Sequence, residues 1–361
     1  MRNYLSTGAA LLLTTTAVSA GGLDRGGNAY SVLFEDGDYA QLSFSTARPD
    51  ISGDYVAALG GGSTDNMAED FSTFGVALKF GVTDQIDAAV FLNTPFGANS
   101  SYTAGAYTGL EATWSSTQIA AVLKYQVNDN ISVYGGIRSV KSEAEIAIPA
   151  ALFPFGYTAE TESDSQISYI AGAAYEIPEI ALRVALTYES GFTHEFATTE
   201  TAAALGGVIP SETEIEMPQA VTLDFQSGIA EDTLLFGSVR WSEWSVWEVR
   251  PVGYEGATGD AVTGLDNDVI TYRVGLGRRL SDDLSVFGRV TYEEANGGEA
   301  SRLAPTDGTT SIGIGGSYTM DNVEFTGGIE YSMLGDATDG SATDFSDNSA
   351  LGFGLTIGYS F

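Results

Sequence analysis

Apolar residues alternate with small or polar residues through most of the chain, and the pattern is most regular in residues 350–361. The apolar positions there are Leu351, Phe353, Leu355, Ile357, Tyr359 and Phe361, and the positions between them are mostly glycine. A period of two predicts a β-strand with one apolar face and one small face. Such a strand either buries its apolar face in a soluble core or turns it to lipid in a membrane barrel.

The same alternation predicts about fourteen strands along the chain. Their bounds are residues 39–49, 71–82, 85–93, 111–127, 131–148, 159–177, 180–198, 213–229, 233–250, 268–280, 284–294, 309–320, 323–334 and 345–361. An even number of strands fits a closed antiparallel barrel. Many of the strands are longer than the roughly nine to eleven residues of a tilted membrane span, so we expect the wall to project beyond the membrane.

The connections between the predicted strands alternate between short and long. The short ones are rich in Asp and Asn, as tight turns are, and cover residues 83–84, 128–130, 178–179, 230–232, 281–283 and 321–322. The others contain glycine, proline or clustered acids, at residues 50–70, 94–110, 149–158, 199–212, 251–267, 295–308 and 335–344. This rhythm favours an all-β, transmembrane antiparallel β-barrel of the outer membrane over a sandwich.

The N-terminus predicts export. Arg2 precedes an apolar run at residues 5–17, and Ala20 ends a stretch of small residues suited to cleavage. The run is too short for a membrane span, so residues 1–20 are interpreted as a signal peptide. Residues 21–37 are polar and glycine-rich and lack alternation, so they form a separate segment ahead of a barrel over residues 38–361.

The amino-acid composition excludes several classes of function. The chain has 15 Lys and Arg against 48 Asp and Glu, a net charge of −33, which argues against a nucleic-acid partner. It has no cysteine and only one histidine, His194, and it lacks phosphate-binding and dinucleotide-binding motifs. We therefore predict a protein that is not an enzyme and holds no cofactor or metal. The acidic loops are interpreted as hydrated surface, with cation binding as the alternative.

Parity along the strands places most strand-borne cations on the inner face. The four nearest mid-strand are Arg138, Arg240, Arg273 and Arg289. They either balance inward acids such as Asp87, Glu189, Asp224 and Glu293, because unpaired buried charge is costly, or bind an anionic ligand by charge-assisted hydrogen bonds.

Several segments together resemble one known family. Residues 217–219 (M-P-Q) open a strand, and residues 240–247 (R-W-S-E-W-S-V-W) follow after a tight turn. This stretch resembles the matching part of the FadL/TodX (OMPP1) family of outer-membrane transporters for long-chain fatty acids and other hydrophobic compounds. Residues 94–97, 188–190 and 272–277 are similar to further family segments in the same order, across nearly the whole mature chain.

The resemblance implies a fourteen-stranded barrel with a short N-terminal hatch, here residues 21–37, inside the lumen. It also implies lateral release of substrate into the membrane through a kink in the third strand. The kink would fall on Asn93, Thr94, Pro95, Phe96 and Gly97, where Pro95 cannot donate a ladder hydrogen bond, although a strand ending in a loop is the alternative.

The hatch departs from the family pattern. Many members carry Asn-Pro-Ala where this chain has Glu35, Asp36 and Gly37 after Phe34, so the gating mechanism is not transferred residue by residue.

The expected function is therefore a passive outer-membrane channel for hydrophobic or amphipathic small molecules. Phe91, Phe236 and Phe287 would hold an apolar tail, and the four arginines any acid group. Its expected partners are that ligand, outer-membrane lipid and lipopolysaccharide, and we expect a monomer. A general porin and an adhesive or structural barrel are the alternatives.

Overall fold

The computed structural model describes residues 22–361, and the predicted signal peptide lies outside them. A closed antiparallel barrel dominates the described residues. Eighteen strand segments form its wall, and four pairs of segments are halves of one interrupted strand. The wall therefore has fourteen strands, as the alternation predicts.

The barrel strands run in chain order. They are β1 Tyr39–Asp50, β2 Phe71–Thr83, β3 Ile86–Asn93 with Gly97–Ser101, β4 Glu111–Asn128, β5 Ile131–Ile148, β6 Tyr157–Thr161 with Asp164–Ile177, β7 Leu182–Glu189 with Phe192–Ala202, β8 Gly207–Met217 with Ala220–Ala230, β9 Thr233–Ser242, β10 Val269–Arg279, β11 Leu284–Glu293, β12 Thr309–Met320, β13 Val323–Leu334 and β14 Ser349–Ser360.

The loops carry short elements of their own. Five-residue and three-residue 3-10 turns lie at Tyr30–Phe34, Ala57–Leu59, Gly105–Tyr107, Pro178–Ile180, Ala203–Leu205 and Trp244–Val246. Short strand pieces lie at Glu248–Val249, Thr263–Gly264, Glu299–Ala300, Ala337–Asp339 and Asp344–Phe345, and the α-helix α1 spans Val252–Thr258. No helix within residues 22–361 is long and apolar enough to cross a membrane.

The first and last strands close the barrel. β1 pairs with β14 from Tyr39 opposite Ser360 to Asp50 opposite Ser349, so neither strand remains an open edge. The apolar row of β14 faces outward, with Leu355 46% exposed, while its small residues face the lumen. Inside, the buried Tyr39 ring lies over Gly358, where an added Cβ would meet the tyrosine oxygen at 2.0 Å.

The tight turns and long loops lie at opposite ends of the barrel. In the tight turns, Asp232 and Asp321 adopt positive φ angles of 55° and 53°, a conformation that Asp tolerates better than most residues. At the long-loop end, Tyr55, Tyr102 and Tyr107 pack edge to face with ring centroids 5.0 and 5.3 Å apart. The long loops thus have a small apolar core of their own.

The predicted strand over residues 233–250 is too long. β9 ends at Ser242, and Trp244–Val246 forms a 3-10 turn with Trp244 completely buried. Tryptophans at 241, 244 and 247 recur every third residue, which fits a 3-10 turn better than a strand. The interruptions of β6, β7 and β8 were also not predicted.

We predict that Gly358→Val destabilises the barrel, because the new side chain overlaps the Tyr39 ring and overpacking costs roughly 1–3 kcal/mol. The temperature at which the folded band is lost on a semi-native gel should fall. Leu355→Ile, on the outward face of the same strand, is the matched control and should leave that temperature unchanged. Equal temperatures for both variants would contradict the assignment of the two faces.

Candidate functional site

The N-terminal residues 22–38 lie inside the barrel. Val32 and Leu33, in the 3-10 turn Tyr30–Phe34, are buried against Ala77, Phe91 and Val122 of the inner wall. These contacts remove apolar side chains of the segment from water and fix its second half to β2, β3 and β4.

Two lysines hold the same half through its backbone. Lys79 Nζ donates to the carbonyl oxygens of Glu35 and Gly37 at 2.7 and 2.8 Å. Lys124 Nζ donates to the carbonyl of Leu33 at 2.6 Å. Asp87 lies 3.4 and 3.1 Å from the two ammonium groups and balances part of their charge. We call residues 30–37 the anchored half.

The predicted gate residues 34–37 of the hatch lie within this anchored half. The Phe34 ring packs edge to face on Tyr134, with the guanidinium of Arg183 4.7 Å from the ring centroid. Burial raises the pKa of Glu35 to about 8. Asp36 and Gly37 are exposed, and Asp36 lies near the short turn at Asp321 and Asn322.

Residues 22–29 are held through both side chains and backbone, and we call them the latch. Asp24 lies 3.4 Å from Arg240 and accepts a hydrogen bond from the Trp244 indole at 3.2 Å. Asn28 accepts hydrogen bonds from Asn93 and Gln118 at 2.9 and 2.8 Å. These contacts are polar, and they reach β3, β4, β9 and the 3-10 turn that follows β9.

Glu189 is the centre of the polar network around the latch. Its carboxylate lies 3.2 Å from both Arg138 and Arg240 and accepts a hydrogen bond from Tyr30 at 2.8 Å. Glu189 is the last residue before the interruption of β7, and Arg138 also donates to the carbonyl of Ser190 within that break at 3.1 Å. The break in β7 therefore makes the Ser190 carbonyl available to Arg138. In a regular strand this carbonyl would bond to a neighbouring strand.

The latch is bonded to the interruption of β3. Arg25 N donates to the carbonyl of Pro95 at 2.8 Å, and Gly97 N donates to the carbonyl of Leu23 at 2.9 Å. Phe96 is buried and packs edge to face on Trp244, with ring centroids 5.8 Å apart. β3 stops at Asn93 and resumes at Gly97, so the strand is interrupted where Pro95 predicted a break.

The wall has a gap beside this interruption. β2 pairs with β3 only from Val76 opposite Leu92 onward, so residues 71–75 of β2 have a strand partner on the β1 side alone. The upper part of β3 pairs instead with the loop at Met67 and Ala68. Arg25 reaches across the gap, and its guanidinium carbon lies 3.4 Å from the centroid of the Phe71 ring on β2.

Three cavities meet at the latch. An apolar upper cavity of about 1300 Å³, open to solvent, lies on its long-loop side and is lined by Leu23, Trp114, Ile146, Ile215, Trp247 and Leu303, among others. A polar lower cavity of similar size is lined by Arg183, Asp224, Arg240 and Arg273. The third, which we call the wall opening, occupies about 510 Å³ at the gap between β2 and β3.

The predicted arginines occupy different places. Arg138 and Arg240 are paired with Glu189, and Arg289 is paired with the buried Glu330 at 2.8 Å. Arg273 lines the lower cavity and lies 3.4 Å from the Thr291 hydroxyl. Pairing with inward acids thus accounts for three of the four, and binding of a substrate acid group by any of them stays a prediction.

The three predicted phenylalanines also lie in different parts of the lumen. Phe91 lines the wall opening and packs edge to face on Tyr30, with centroids 5.7 Å apart. Phe236 and Phe287 pack on each other nearer the short turns, with centroids 6.4 Å apart, over glycines of neighbouring strands. The residues that line the apolar upper cavity are others, such as Trp114, which its inward parity on β4 could have identified.

His194, on the second segment of β7, is completely buried. Its Nδ1 lies 2.7 Å from Asp164, and its ring packs against Trp114 and Phe196. Within residues 22–361, no group of three or more His, Cys, Asp and Glu side chains is arranged to hold a metal ion.

These features define a class of protein, a transmembrane β-barrel whose lumen contains its own N-terminal segment. The chain belongs to the family of outer membrane transport proteins described as OMPP1/FadL/TodX, whose model matches residues 37–361. The chain is thus a bacterial outer-membrane β-barrel. Its family transports hydrophobic compounds and is a family of channels, not of enzymes.

Solved structures share the fold at low sequence identity. A FadL homologue from Pseudomonas aeruginosa superposes with a TM-score of 0.77 at 14% identity, covering 96% of this chain and 97% of that one. The toluene transporter TodX of P. putida gives 0.67 at 12% identity, covering 93% and 94%. The toluene transporter TbuX of Ralstonia pickettii gives 0.64 at 14% identity, covering 94% and 95%. A search of curated proteins finds no significant match.

We predict that Glu189→Gln releases the latch. The change removes the charge that pairs with two arginines, and breaking a buried ion pair costs roughly 3–5 kcal/mol. Because the chain has no cysteine, spin labels can be placed at Gly27→Cys in the latch and Asp282→Cys in a short turn. Their distance distribution by double electron–electron resonance should broaden.

The matched control is Glu330→Gln, which removes the charge that pairs with Arg289 between other strands. It should lower stability by a similar amount and leave the distance distribution narrow. Broadening in both variants would show general loosening of the barrel and contradict a specific role for Glu189.

Proposed function

We propose that the protein passes hydrophobic or amphipathic small molecules, such as long-chain fatty acids, across the outer membrane without energy input. Substrate would enter the upper cavity from the long-loop side and leave sideways through the wall opening into the membrane. The observation that carries this proposal is that one short segment, the latch, lines both the upper cavity and the wall opening.

The upper cavity has the properties of a site for an apolar molecule. Aromatic and aliphatic side chains dominate its lining, including Trp114, Ile146 and Leu303, and a few polar groups lie among them. Sites for small apolar ligands generally have this composition, and transfer of apolar surface from water to such a cavity is favourable.

The wall opening joins the inner and outer faces of the barrel. Gly26 and Thr73 line it from inside, whereas Phe44, Phe74 and Leu355 line it from outside and are 46–51% exposed on the outward face. An apolar rim on the outward face suits a molecule that moves into lipid. Displacement of the latch is the step that would connect this opening to the upper cavity.

The predicted site residues take roles within this route. The interruption at Asn93, Thr94, Pro95, Phe96 and Gly97 forms one side of the opening and binds the latch, and Phe91 lines the opening below it. We include aromatic hydrocarbons as well as fatty acids in the proposed substrate range, and the shared fold of TodX and TbuX, both named as toluene transporters, supports this choice.

We predict that a disulfide across the gap blocks passage. The Cβ atoms of Gly26→Cys and Thr73→Cys would lie about 4.0 Å apart, within the range of about 3.5–4.5 Å that a disulfide requires. Cells carrying the oxidised pair should lose uptake of long-chain fatty acids and aromatic hydrocarbons. Reduction with dithiothreitol should restore uptake.

The matched control is Ser45→Cys with Thr73→Cys, which shares one position but links paired residues of β1 and β2. Its oxidation should leave uptake unchanged. Full uptake with the Gly26 to Thr73 disulfide formed would contradict exit through the wall opening.

Electrical conductance distinguishes the proposed transporter from a general porin, because a porin requires an open lumen. Residues 22–38 cross the lumen here, so we expect the full chain to give little conductance in planar bilayers. Asp24→Ala combined with Asn28→Ala, which removes polar contacts of the latch, should raise the frequency of brief openings. Steady conductance of porin magnitude in the unmodified chain would favour the porin instead.

A further inference from the structure

The ladder between β6 and β7 is broken, and we call the break the β6–β7 gap. On its short-turn side Ile170 pairs with Glu189, and on its long-loop side Thr161 pairs with Thr198. Residues 162–169 and 190–197 separate the two ladders, so each strand contributes equally and the register is the same on both sides. Within the described part of the chain these two segments form no ladder, and one backbone hydrogen bond marks each end of the gap.

The gap arises because the two strands exchange their faces at different levels. In β6 the inward and outward positions are exchanged beside Glu162, whereas in β7 this happens beside Ser190, further toward the short turns. Between these levels, residues that stand opposite each other point to opposite faces. His194 is buried inside the barrel, while its counterpart Ser165 is exposed. Paired residues of an antiparallel ladder share one face, so no ladder can form there.

Side chains close the gap in place of a ladder. The Asp164 carboxylate accepts a hydrogen bond from the backbone N–H of Glu195 at 3.3 Å and lies 2.7 Å from Nδ1 of His194. At the other end, the Tyr169 N–H donates to the Ser190 hydroxyl at 2.9 Å. Rotation about its own χ angles is enough to release a bond made by a side chain. The gap can therefore open locally while the ladders on either side stay intact.

The upper cavity lies behind the gap. The His194 ring, on the inner side of the gap, packs on Trp114 with ring centroids 6.1 Å apart. Trp114 lines the upper cavity, as do Thr161 and Thr198 at the long-loop end of the gap. Asp164 supplies the one hydrogen bond of the His194 ring within the described residues, since Nε2 is buried without a partner. The gap and the cavity are therefore adjacent across one layer of aromatic side chains.

The outer side of the gap begins at the membrane interface. Tyr188 and Trp241 lie at one level of the outward face, both paired with Val221, and such aromatic residues mark the interface of a barrel. Tyr169 and Ile167, on the long-loop side of this level, are 63% and 61% exposed. Beyond them, the exposed residues among 162–165 and 193–195 are Ser, Thr and Glu. An amphipathic molecule at the interface thus meets apolar side chains for its tail and polar ones for its head group.

We propose that the β6–β7 gap is an inlet through which amphipathic molecules held at the outer interface of the membrane enter the upper cavity sideways. The inference rests on the proposed function, because it gives the same cavity a second entrance besides the mouth between the long loops. Asp164 keeps the inlet closed by holding His194 and the N–H of Glu195. The bonds that close the inlet join β6 to β7 and do not involve residues 22–38.

The test measures how fast a dibrominated stearate reaches the upper cavity of the full chain in lipid nanodiscs. Bromine quenches tryptophan on contact, and Trp114 and Trp247 line the cavity. A bulky maleimide on Ile167→Cys covers the outer side of the inlet, so the association rate should fall several-fold. Because this label does not touch the cavity, Kd should stay the same.

The matched control for the label is Ile312→Cys. Ile312 is 55% exposed on the outward face of β12, away from the β6–β7 gap, so the same maleimide there should leave the association rate unchanged.

Asp164→Ala tests the closure itself. It should raise the association rate roughly tenfold, the change expected when hydrogen bonds of a charged group are lost from the closed state. Asp164→Asn keeps an acceptor for the Glu195 N–H and should raise the rate less. Glu330→Ala removes an inward carboxylate from another part of the wall and should leave the rate unchanged.

The outcomes separate the inlet from the proposed function. An unchanged association rate in labelled Ile167→Cys or in Asp164→Ala would overturn the inlet and leave the mouth between the long loops as the entrance. An equal slowing by the label on Ile312→Cys would also overturn it, because any label on the wall would then hinder arrival. Failure of the unmodified protein to bind the probe would instead count against the proposed function.

Discussion

The structure depends on one constraint, that every backbone hydrogen-bonding group of the wall must have a partner where no water is present. Pairing of β1 with β14 meets this constraint at the seam. At the gap the partners come from elsewhere. The carbonyl of Pro95 accepts from the latch, Gly97 donates to it, and Phe96 exchanges hydrogen bonds with the Ser116 hydroxyl. The wall is therefore complete only while the N-terminal segment occupies it.

Buried charge organises the lumen by the same logic. Isolated charges in an apolar interior are costly, and five of the inner cations of the described residues, Lys79, Lys124, Arg138, Arg240 and Arg289, occur in compensated groups. One group surrounds Glu189 and holds the latch, a second surrounds Asp87 and holds the anchored half, and Arg289 with Glu330 ties β11 to β13. The Asp87 group touches only the anchored half, whereas the Glu189 group touches the latch through Asp24 and also Tyr30, the first residue of the anchored half. Residues 33–37 therefore have an attachment that does not depend on Glu189.

Much of the architecture follows from sequence periodicity, because each strand has to alternate between lipid and lumen. The strand number and the closure of the barrel follow from this periodicity, whereas the break near Pro95 was expected from the family resemblance and from the missing donor of proline. The Glu189 network could not be predicted from periodicity. Asp24, Asn28 and Tyr30 lie in a segment that has none, and only the fold brings them to β5, β7 and β9. Likewise, parity placed Arg138 and Arg240 inside the barrel but could not decide between an acid partner and a ligand. That choice depends on contacts between residues about fifty positions apart.

The anchored half has a consequence for how the family's sequences can vary. Lys79 and Lys124 bind carbonyl oxygens of Leu33, Glu35 and Gly37, and every amino acid carries a carbonyl oxygen. This attachment therefore does not depend on the side chains of Leu33, Glu35 and Gly37. Other residues could replace Glu35, Asp36 and Gly37 without loss of the attachment, provided that the backbone keeps its path. Selection at these positions is free to act on other properties of the segment, while the two lysines and their shared aspartate preserve its place in the barrel.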